Sequence, residues 1–367
     1  MSNRYSRRHF IRDASLGTLA LSPAISSLAA CATTAAKDKL GIALVGLGSY
    51  STNQLAPALQ QTKNCYLAGI VTGTPAKEKT WADKYSIASK NIYNYQNFDT
   101  IAGNPDIDIV YVVLPVSMHK EYTIRAAAAG KHVICEKPMA ITSKDCEEMI
   151  AACKKANRML SIGYRLHFEP HHQEMMRLGQ QKIYGKVKEI NCANGFVFGN
   201  NPGAWRLNKA LAGGGGLMDM GVYAIQASRY TTGEEPVSVI AREVKTKPEL
   251  FKEVDETIFF ELTFPSGCVS KCRSSYNESI SHLKVMAEKG SFELLHPTFY
   301  YGNINGKTPE GPMPFPQVNH QALQMDDFAQ CVMQNKTSRV PGEMGKQDMK
   351  IVEAIYRSIA SGKSEVI

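Results

Sequence analysis

The sequence predicts an α/β fold: an N-terminal doubly wound parallel sheet, then a C-terminal α+β domain with a large, mostly antiparallel open sheet. Two observations carry this. Between residues 41 and 163, short apolar runs alternate with helical patterns, the order that builds a parallel sheet covered on both faces. After about residue 164, strand patterns become amphipathic and adjacent, with hairpin signals at Pro265-Ser266-Gly267 and Lys289-Gly290. The 367 residues suit two domains, and 44% hydrophobic with 21% charged residues is an ordinary globular balance.

Taken in order, residues 41–46 are an apolar run closed by glycine, which reads as a buried parallel strand. A helix is expected over 53–61, a strand over 65–71 and a helix over 76–85. The wholly apolar 109–114 is a further strand, and 119–129 a helix stopped by Gly130. Strands over 132–135 and 160–163 flank a long helix over 143–157. In the second half, strands are expected over 186–198, 237–244, 257–264, 268–276, 282–288 and 291–295. A helix covers about 218–231, and two closing helices cover 319–335 and 345–361. The boundaries are 1–36 for a leader and linker, 37–163 for the first domain and 164–367 for the second, with the last helices packing back on the first.

The formal net charge of +8 includes +3 from the first thirty residues, where Arg4, Arg7, Arg8 and Arg12 face Asp13 alone. No basic block interleaved with aromatics marks a nucleic-acid groove. Nine cysteines form neither a CxxC pair nor a zinc-spaced array with histidine, so no metal site is expected. Cys268 and Cys272, four residues apart in one strand, would stand about 13 Å apart, too far for a disulfide. The cysteines read as small buried hydrophobes. His167, His171 and His172 have no carboxylate or cysteine pattern completing a metal site and read as loop or packing residues, with His167 near a bound cofactor.

The N-terminus reads as an address. Ser6-Arg7-Arg8-His9-Phe10 is a twin-arginine pattern, followed by a weakly apolar run over 14–30 interrupted by Pro23. That run is too short and polar for a membrane span and reads as a signal segment. Leu28-Ala29-Ala30-Cys31 resembles a lipobox, which implies a lipid anchor at Cys31 and a periplasmic, membrane-anchored protein. The competing reading is cleavage after Ala30 or Ala32, which leaves a free periplasmic protein. Twin-arginine signals resemble those of proteins exported already folded, often with a cofactor inside.

Gly46-Leu47-Gly48-Ser49-Tyr50-Ser51 follows the first strand and opens a helix. The first glycine permits the tight turn, and the second lets backbone approach a pyrophosphate on the helix N-terminus, as in a Rossmann dinucleotide loop. The third position is Ser51 rather than Gly or Ala. The second strand ends Val71-Thr72-Gly73, where an NAD enzyme often carries a carboxylate for the ribose diol. Thr72, Gly73 and the nearby Lys77 suit a 2′-phosphate instead, so NADP is the expected cofactor.

Three more stretches carry a resemblance: Glu136-Lys137-Pro138, the run from Tyr164 to Pro170, and Gly213–Gly216 followed by Leu217-Met218-Asp219-Met220-Gly221-Val222-Tyr223. Together they are similar to the Gfo/Idh/MocA oxidoreductase superfamily, in the pattern of its glucose-fructose and aldose-aldose oxidoreductase branch. The likeness runs from about Leu40 to a C-terminal helix with Gln347-Asp348 and Ala354-Ile355-Tyr356. It implies that Gly46, Gly48, Tyr50, Thr72 and Lys77 hold the pyrophosphate and adenosine half of NADP. Leu114, His119, Glu136, Lys137 and Arg165 would line the nicotinamide half. Trp205 and Arg206 would close over the cofactor, and Tyr95 would touch it. The likeness also implies a homodimer or homotetramer packed through the open face of the second sheet.

Oxidising a sugar alcohol removes a hydride and a proton. The cofactor supplies the redox chemistry and the protein handles the proton. Tyr223 is the candidate acid/base. A tyrosine phenol ionises near pH 10 in water, so it needs a cation beside it, which Lys137 can supply. Asp219, four residues earlier, would share a helical face with it and orient Lys137 or substrate hydroxyls. Many superfamily members resemble Asp-x-Gly-x-His here, and this chain has Tyr in the His position. The expected activity is hydride transfer from an aldose, leaving as a lactone, to a tightly bound NADP that a second sugar re-oxidises. The alternatives are a glycosidase of the same superfamily that oxidises its sugar transiently, and a non-catalytic sugar-binding member.

Overall fold

The computed structural model describes residues 37–199, 201–300 and 302–367. The leader and Cys31 lie outside them. Leu40–Val45 (β1) is apolar along its length because both of its faces are covered. Ile42 and Leu44 join one hydrophobic cluster and Ala43 and Val45 the other, the alternation that a strand's period of two imposes. It is flanked by β2 (Cys65–Val71), β3 (Ile92–Tyr93), β4 (Ile109–Val112), β5 (His132–Cys135) and β6 (Leu160–Ile162) in the all-parallel order β3-β2-β1-β4-β5-β6. The order reverses between β1 and β4, and at that switch point a crevice opens beyond the carboxyl ends of the strands.

Among the described residues the second sheet has nine strands. They are β7 (Val187–Val197), β8 (Ser238–Val244), β9 (Thr257–Thr263), β10 (Val269–Ser275), β11 (Asn277–Ala287), β12 (Gly290–Leu295), β13 (Asn305–Thr308), β14 (Gly311–Pro312) and β15 (Glu365–Val366), ordered β14-β13-β12-β11-β7-β10-β9-β8-β15. Every pair is antiparallel except β7 with β10. The helix Val222–Thr232 lies on its inner face, buried at nearly every position. The small Ser270, Cys272 and Ser274 of β10 let it come close, with Ser228 Oγ 2.7 Å from Ser270 Oγ. That contact fixes the height of the helix start, which carries Tyr223.

The closing helices pack back on the first sheet. Met325 and Phe328 of His320–Gln334 share a cluster with Ile42, Leu44 and Leu55. In Gly342–Ser361, Glu353 accepts from the Ser143 N–H at 2.7 Å. The eight described cysteines are free, seven of them buried.

Two local readings need correction. The helix expected over 53–61 begins earlier, with a π-helical turn at Ser51–Leu55 continuing as Ala56–Leu59. The helix Pro170–Gln180 is hidden in the sequence pattern, because His171, His172 and Gly179 dilute its apolar stripe. Its signal was the Glu169-Pro170 pair, where Glu169 caps the helix by accepting from His172 N–H at 2.8 Å and proline takes the first turn.

Candidate functional site

A cavity of about 690 Å³ opens at the switch point between the two sheets. Every residue expected to bind the cofactor, and Lys137, Asp219 and Tyr223 with them, lines it. The glycine loop forms its floor. Gly46 has φ +92°, and a Cβ there would lie 2.4 Å from the Val113 carbonyl oxygen across the switch point. Gly48 opens onto free space. Ser51, the departure from the glycine pattern, is buried and donates its hydroxyl to the Gly46 carbonyl at 2.6 Å. A serine therefore closes the turn from within where other loops use a small residue. Leu47 is buried, and its carbonyl accepts from Lys77 Nζ at 2.8 Å.

At the end of β2, Thr72 is buried with its hydroxyl accepting from Thr74 N–H at 3.2 Å. Gly73 faces the ring of Tyr95. Among the described residues, the only carboxylates on the cavity wall are Glu136 and Asp219, so none of them stands beside Thr72 and Lys77. A dinucleotide fits this lining. A glycine turn at a helix start suits the pyrophosphate, and a hydroxyl and an ammonium without a competing carboxylate suit a phosphorylated ribose.

The other end is built by the loop after β5 and the helix start at Leu217. Glu136 is buried, which pushes its carboxyl pKa up. Its Oε1 accepts from the Tyr111 hydroxyl at 2.6 Å and its Oε2 from Lys137 N–H at 3.2 Å. Gln324 donates to the same tyrosine at 3.0 Å, tying a C-terminal helix to this wall. His119 lines the cavity, but its ring spans two backbone carbonyls, Leu114 at 2.8 Å and Pro138 at 3.0 Å. It braces the loops on either side of it.

Lys137 Nζ donates to the Asp219 carbonyl at 2.8 Å and to its Oδ1 at 3.0 Å. The Asp219 Oδ2 accepts from Arg206 Nε at 3.0 Å and from the Tyr276 hydroxyl at 3.0 Å. Burial works against the Asp219 charge, but Lys137 and Arg206 outweigh it and hold the carboxyl well below the usual range. Burial likewise lowers the Lys137 pKa, and Tyr223, Asp219 and Glu136 more than restore it, so the ammonium stays charged at neutral pH. Of the two duties expected of Asp219, the geometry favours holding Lys137. The Lys137 charge lies over the Tyr223 ring, 4.6 Å from its centroid. The hydrogen bond to the phenol oxygen comes instead from Arg165 Nη2, at 3.3 Å.

Asp219 sits in a π-helical turn, Leu217–Gly221, that leads into the Tyr223 helix. With more than four residues per turn, the four-residue spacing still leaves both side chains on the cavity wall. The preceding glycines are required by close approach: a Cβ on Gly215 would lie 2.0 Å from the Asp255 carbonyl oxygen. Asp255 holds this turn, accepting from Gly215 N–H at 2.8 Å, Leu217 N–H at 2.7 Å and the Tyr356 hydroxyl at 2.6 Å.

Sequence reasoning missed Tyr276, Asp255 and the aromatic wall of Phe196, Phe299 and Tyr300. None follows a recognisable spacing from Lys137 or Tyr223, so no local signal marked them. Trp205 and Arg206 stand at the rim, with the guanidinium 4.6 Å from the indole centroid. His167 does not line the cavity. It bonds Gln226 at 2.8 Å behind Lys137 and Tyr223. His172 is buried between the Tyr230 hydroxyl and the Thr298 carbonyl, and His171 against Glu169. Among the described residues no metal-ligand cluster occurs.

Residues 40–164 match the oxidoreductase family with an NAD-binding Rossmann fold, and residues 172–293 match the Gfo/Idh/MocA C-terminal domain. The chain belongs to the Gfo/Idh/MocA oxidoreductase family. It is 42% identical to the crystallised aldose-aldose oxidoreductase of Caulobacter crescentus, with a TM-score of 0.86 over 90% of this chain and 100% of that one. It is 28% identical to an NADP-dependent D-xylose 1-dehydrogenase of Haloarcula marismortui over 89% of this chain and 92% of that protein. It is 24% identical to a 1,5-anhydro-D-fructose reductase of Ensifer adhaerens over 73% and 82% of the two. As a member of this family, the chain is an oxidoreductase.

Proposed function

We propose that this oxidoreductase uses NADP to oxidise an aldose to its lactone, holds the nucleotide through the cycle and passes the hydride to a second sugar. The observation that carries the reading is the junction in one cavity of a dinucleotide loop, a second strand ending without a carboxylate, and the Lys137–Asp219–Tyr223 assembly. The names of its relatives, an aldose-aldose oxidoreductase and an NADP-dependent xylose dehydrogenase, support the same chemistry.

When bound, the nicotinamide supplies the acceptor and later the donor of the hydride. The protein handles the rest. Gly46, Gly48 and Lys77 would hold the phosphates, while Leu114, Glu136 and Arg165 would wall the reactive ring. Tyr223, between the charges of Lys137 and Arg165, takes the proton of the sugar hydroxyl as the carbinol hydrogen leaves with its electron pair. In the return half, Tyr223 gives that proton to the carbonyl oxygen of the second sugar as the hydride arrives at carbon. Phe196, Phe299 and Tyr300 offer apolar faces to the C–H side of a sugar ring. The twin-arginine leader supports export of the folded, loaded enzyme, where a retained nucleotide avoids the need for a free pool.

The test is to purify the mature protein without added nucleotide, denature it and identify what is released by mass spectrometry. Close to one NADP(H) per chain supports the reading. Release of NAD(H) overturns the argument from Thr72, Gly73 and Lys77. Release of nothing removes the closed cycle.

A further inference from the structure

Two cations flank Tyr223 and do different work. Lys137 lies over the ring and directs its hydrogen bonds to Asp219. Arg165 is buried, with Nη2 3.3 Å from the Tyr223 oxygen and 2.6 Å from the Phe299 carbonyl oxygen. A guanidinium has donors only. In this contact the phenol oxygen is therefore the acceptor, and the phenol proton has to leave in another direction.

The Arg165 plane is set by a residue far along the chain. His320, buried at the start of the helix His320–Gln334, has Nδ1 and Nε2 at 3.5 and 3.4 Å from Arg165 Nη1. An atom nearly equidistant from both ring nitrogens at that range cannot lie in the ring plane without overlapping Cε1. Arg165 Nη1 therefore lies over the imidazole face. Burial, with Arg165 beside it, pushes His320 down to about 2, so the ring is neutral and does not repel its neighbour.

We propose that Arg165 sets the direction of proton transfer at Tyr223 by occupying one acceptor position of its oxygen, and that His320 is the positioning residue that holds the guanidinium plane. The kinetic consequence rests on the sugar-oxidoreductase reading; the geometric one does not. In the oxidising half, the sugar hydroxyl proton reaches the open side of the Tyr223 oxygen while Arg165 keeps the other side. In the reducing half, the same O–H bond breaks and its proton goes to the second sugar's carbonyl oxygen.

The experiment has two arms on the full purified protein. In the first, tyrosine is carbon-13 labelled at Cζ, and the Tyr223 resonance is identified by its loss in Tyr223→Phe. Arg165→Met and His320→Ala should each displace that resonance, and His320→Phe, which keeps a flat ring, should leave it near its original place. In the second, sugar-driven reduction of the bound nucleotide is followed. His320→Ala should slow it about tenfold and Arg165→Met on the order of a hundredfold, with His320→Phe recovering most of the rate. In the His320 variants, nucleotide content and half-saturating sugar concentration should stay within about twofold, because His320 acts through Arg165 and touches neither ligand. An unmoved resonance in His320→Ala overturns the proposal, as does a His320→Phe variant no better than alanine in either arm. If the wild-type protein reduces no nucleotide with any sugar, the functional reading fails, and the resonance arm alone decides this one.

Discussion

Removing the Lys137 ammonium exposes how the site is held. In Lys137→Ala, Asp219 keeps Arg206 and Tyr276 on Oδ2 but loses the cation 3.0 Å from Oδ1. At an effective dielectric of 20, that contact is worth roughly 5 kcal/mol of Coulomb energy before desolvation is subtracted. Losing one partner of a fully buried pair costs about 3–5 kcal/mol. Here the side chains remain 12% and 22% exposed, so solvent screening reduces the expected loss to about 2–3 kcal/mol. Asp219→Asn on that background removes the uncompensated charge and should recover part of it, with a coupling of about 1–3 kcal/mol in the double-variant cycle. Urea denaturation of the four proteins measures this. The rate of sugar oxidation in Lys137→Ala should fall by about 10²–10⁴. Additive stabilities, or a rate within a few-fold of wild type, would refute the claim that Asp219 and Lys137 act as one unit beneath Tyr223.

Gly46→Ala places a methyl group 2.4 Å from the Val113 carbonyl oxygen at φ +92°. It should cost about 1–3 kcal/mol and strip the nucleotide from the purified protein; a variant that still carries a full nucleotide load would refute the role given to the loop. His167 and His172 are both depressed to about 4, chiefly by burial. The unfolded chain therefore binds more protons between about pH 6.5 and 4, and stability present above 6.5 is lost as pH falls through that window, by at most about 1.4 kcal/mol per pH unit for each ring. Urea melts between pH 7 and 4.5 measure the slope, and a flat profile would refute the neutral, buried assignment.

Much of this protein is written locally. The runs Leu40–Val45, Cys65–Val71 and Ile109–Val112 are apolar on both faces, and only central strands of a covered parallel sheet can bury them. The glycine loop after β1 and the missing carboxylate after β2 are likewise local, because a turn and a strand end are decided by neighbours in sequence. Glu136-Lys137-Pro138 and the Asp219-to-Tyr223 spacing were legible as candidate chemistry for the same reason. What sequence could not assign is which cation touches which oxygen. Lys137 reaches Asp219 across 82 positions, Tyr276 reaches it across 57, and Arg165 meets His320 across 155. Such pairs arise only when two sheets and a returning C-terminal helix close on one cavity, and a buried charge then takes whichever donors the packing brings within about 3 Å. The glycine run before Asp219 shows the same division. Its presence is plain in the sequence, but its reason, the Asp255 backbone 2.0 Å from where a side chain would begin, exists only in the folded molecule.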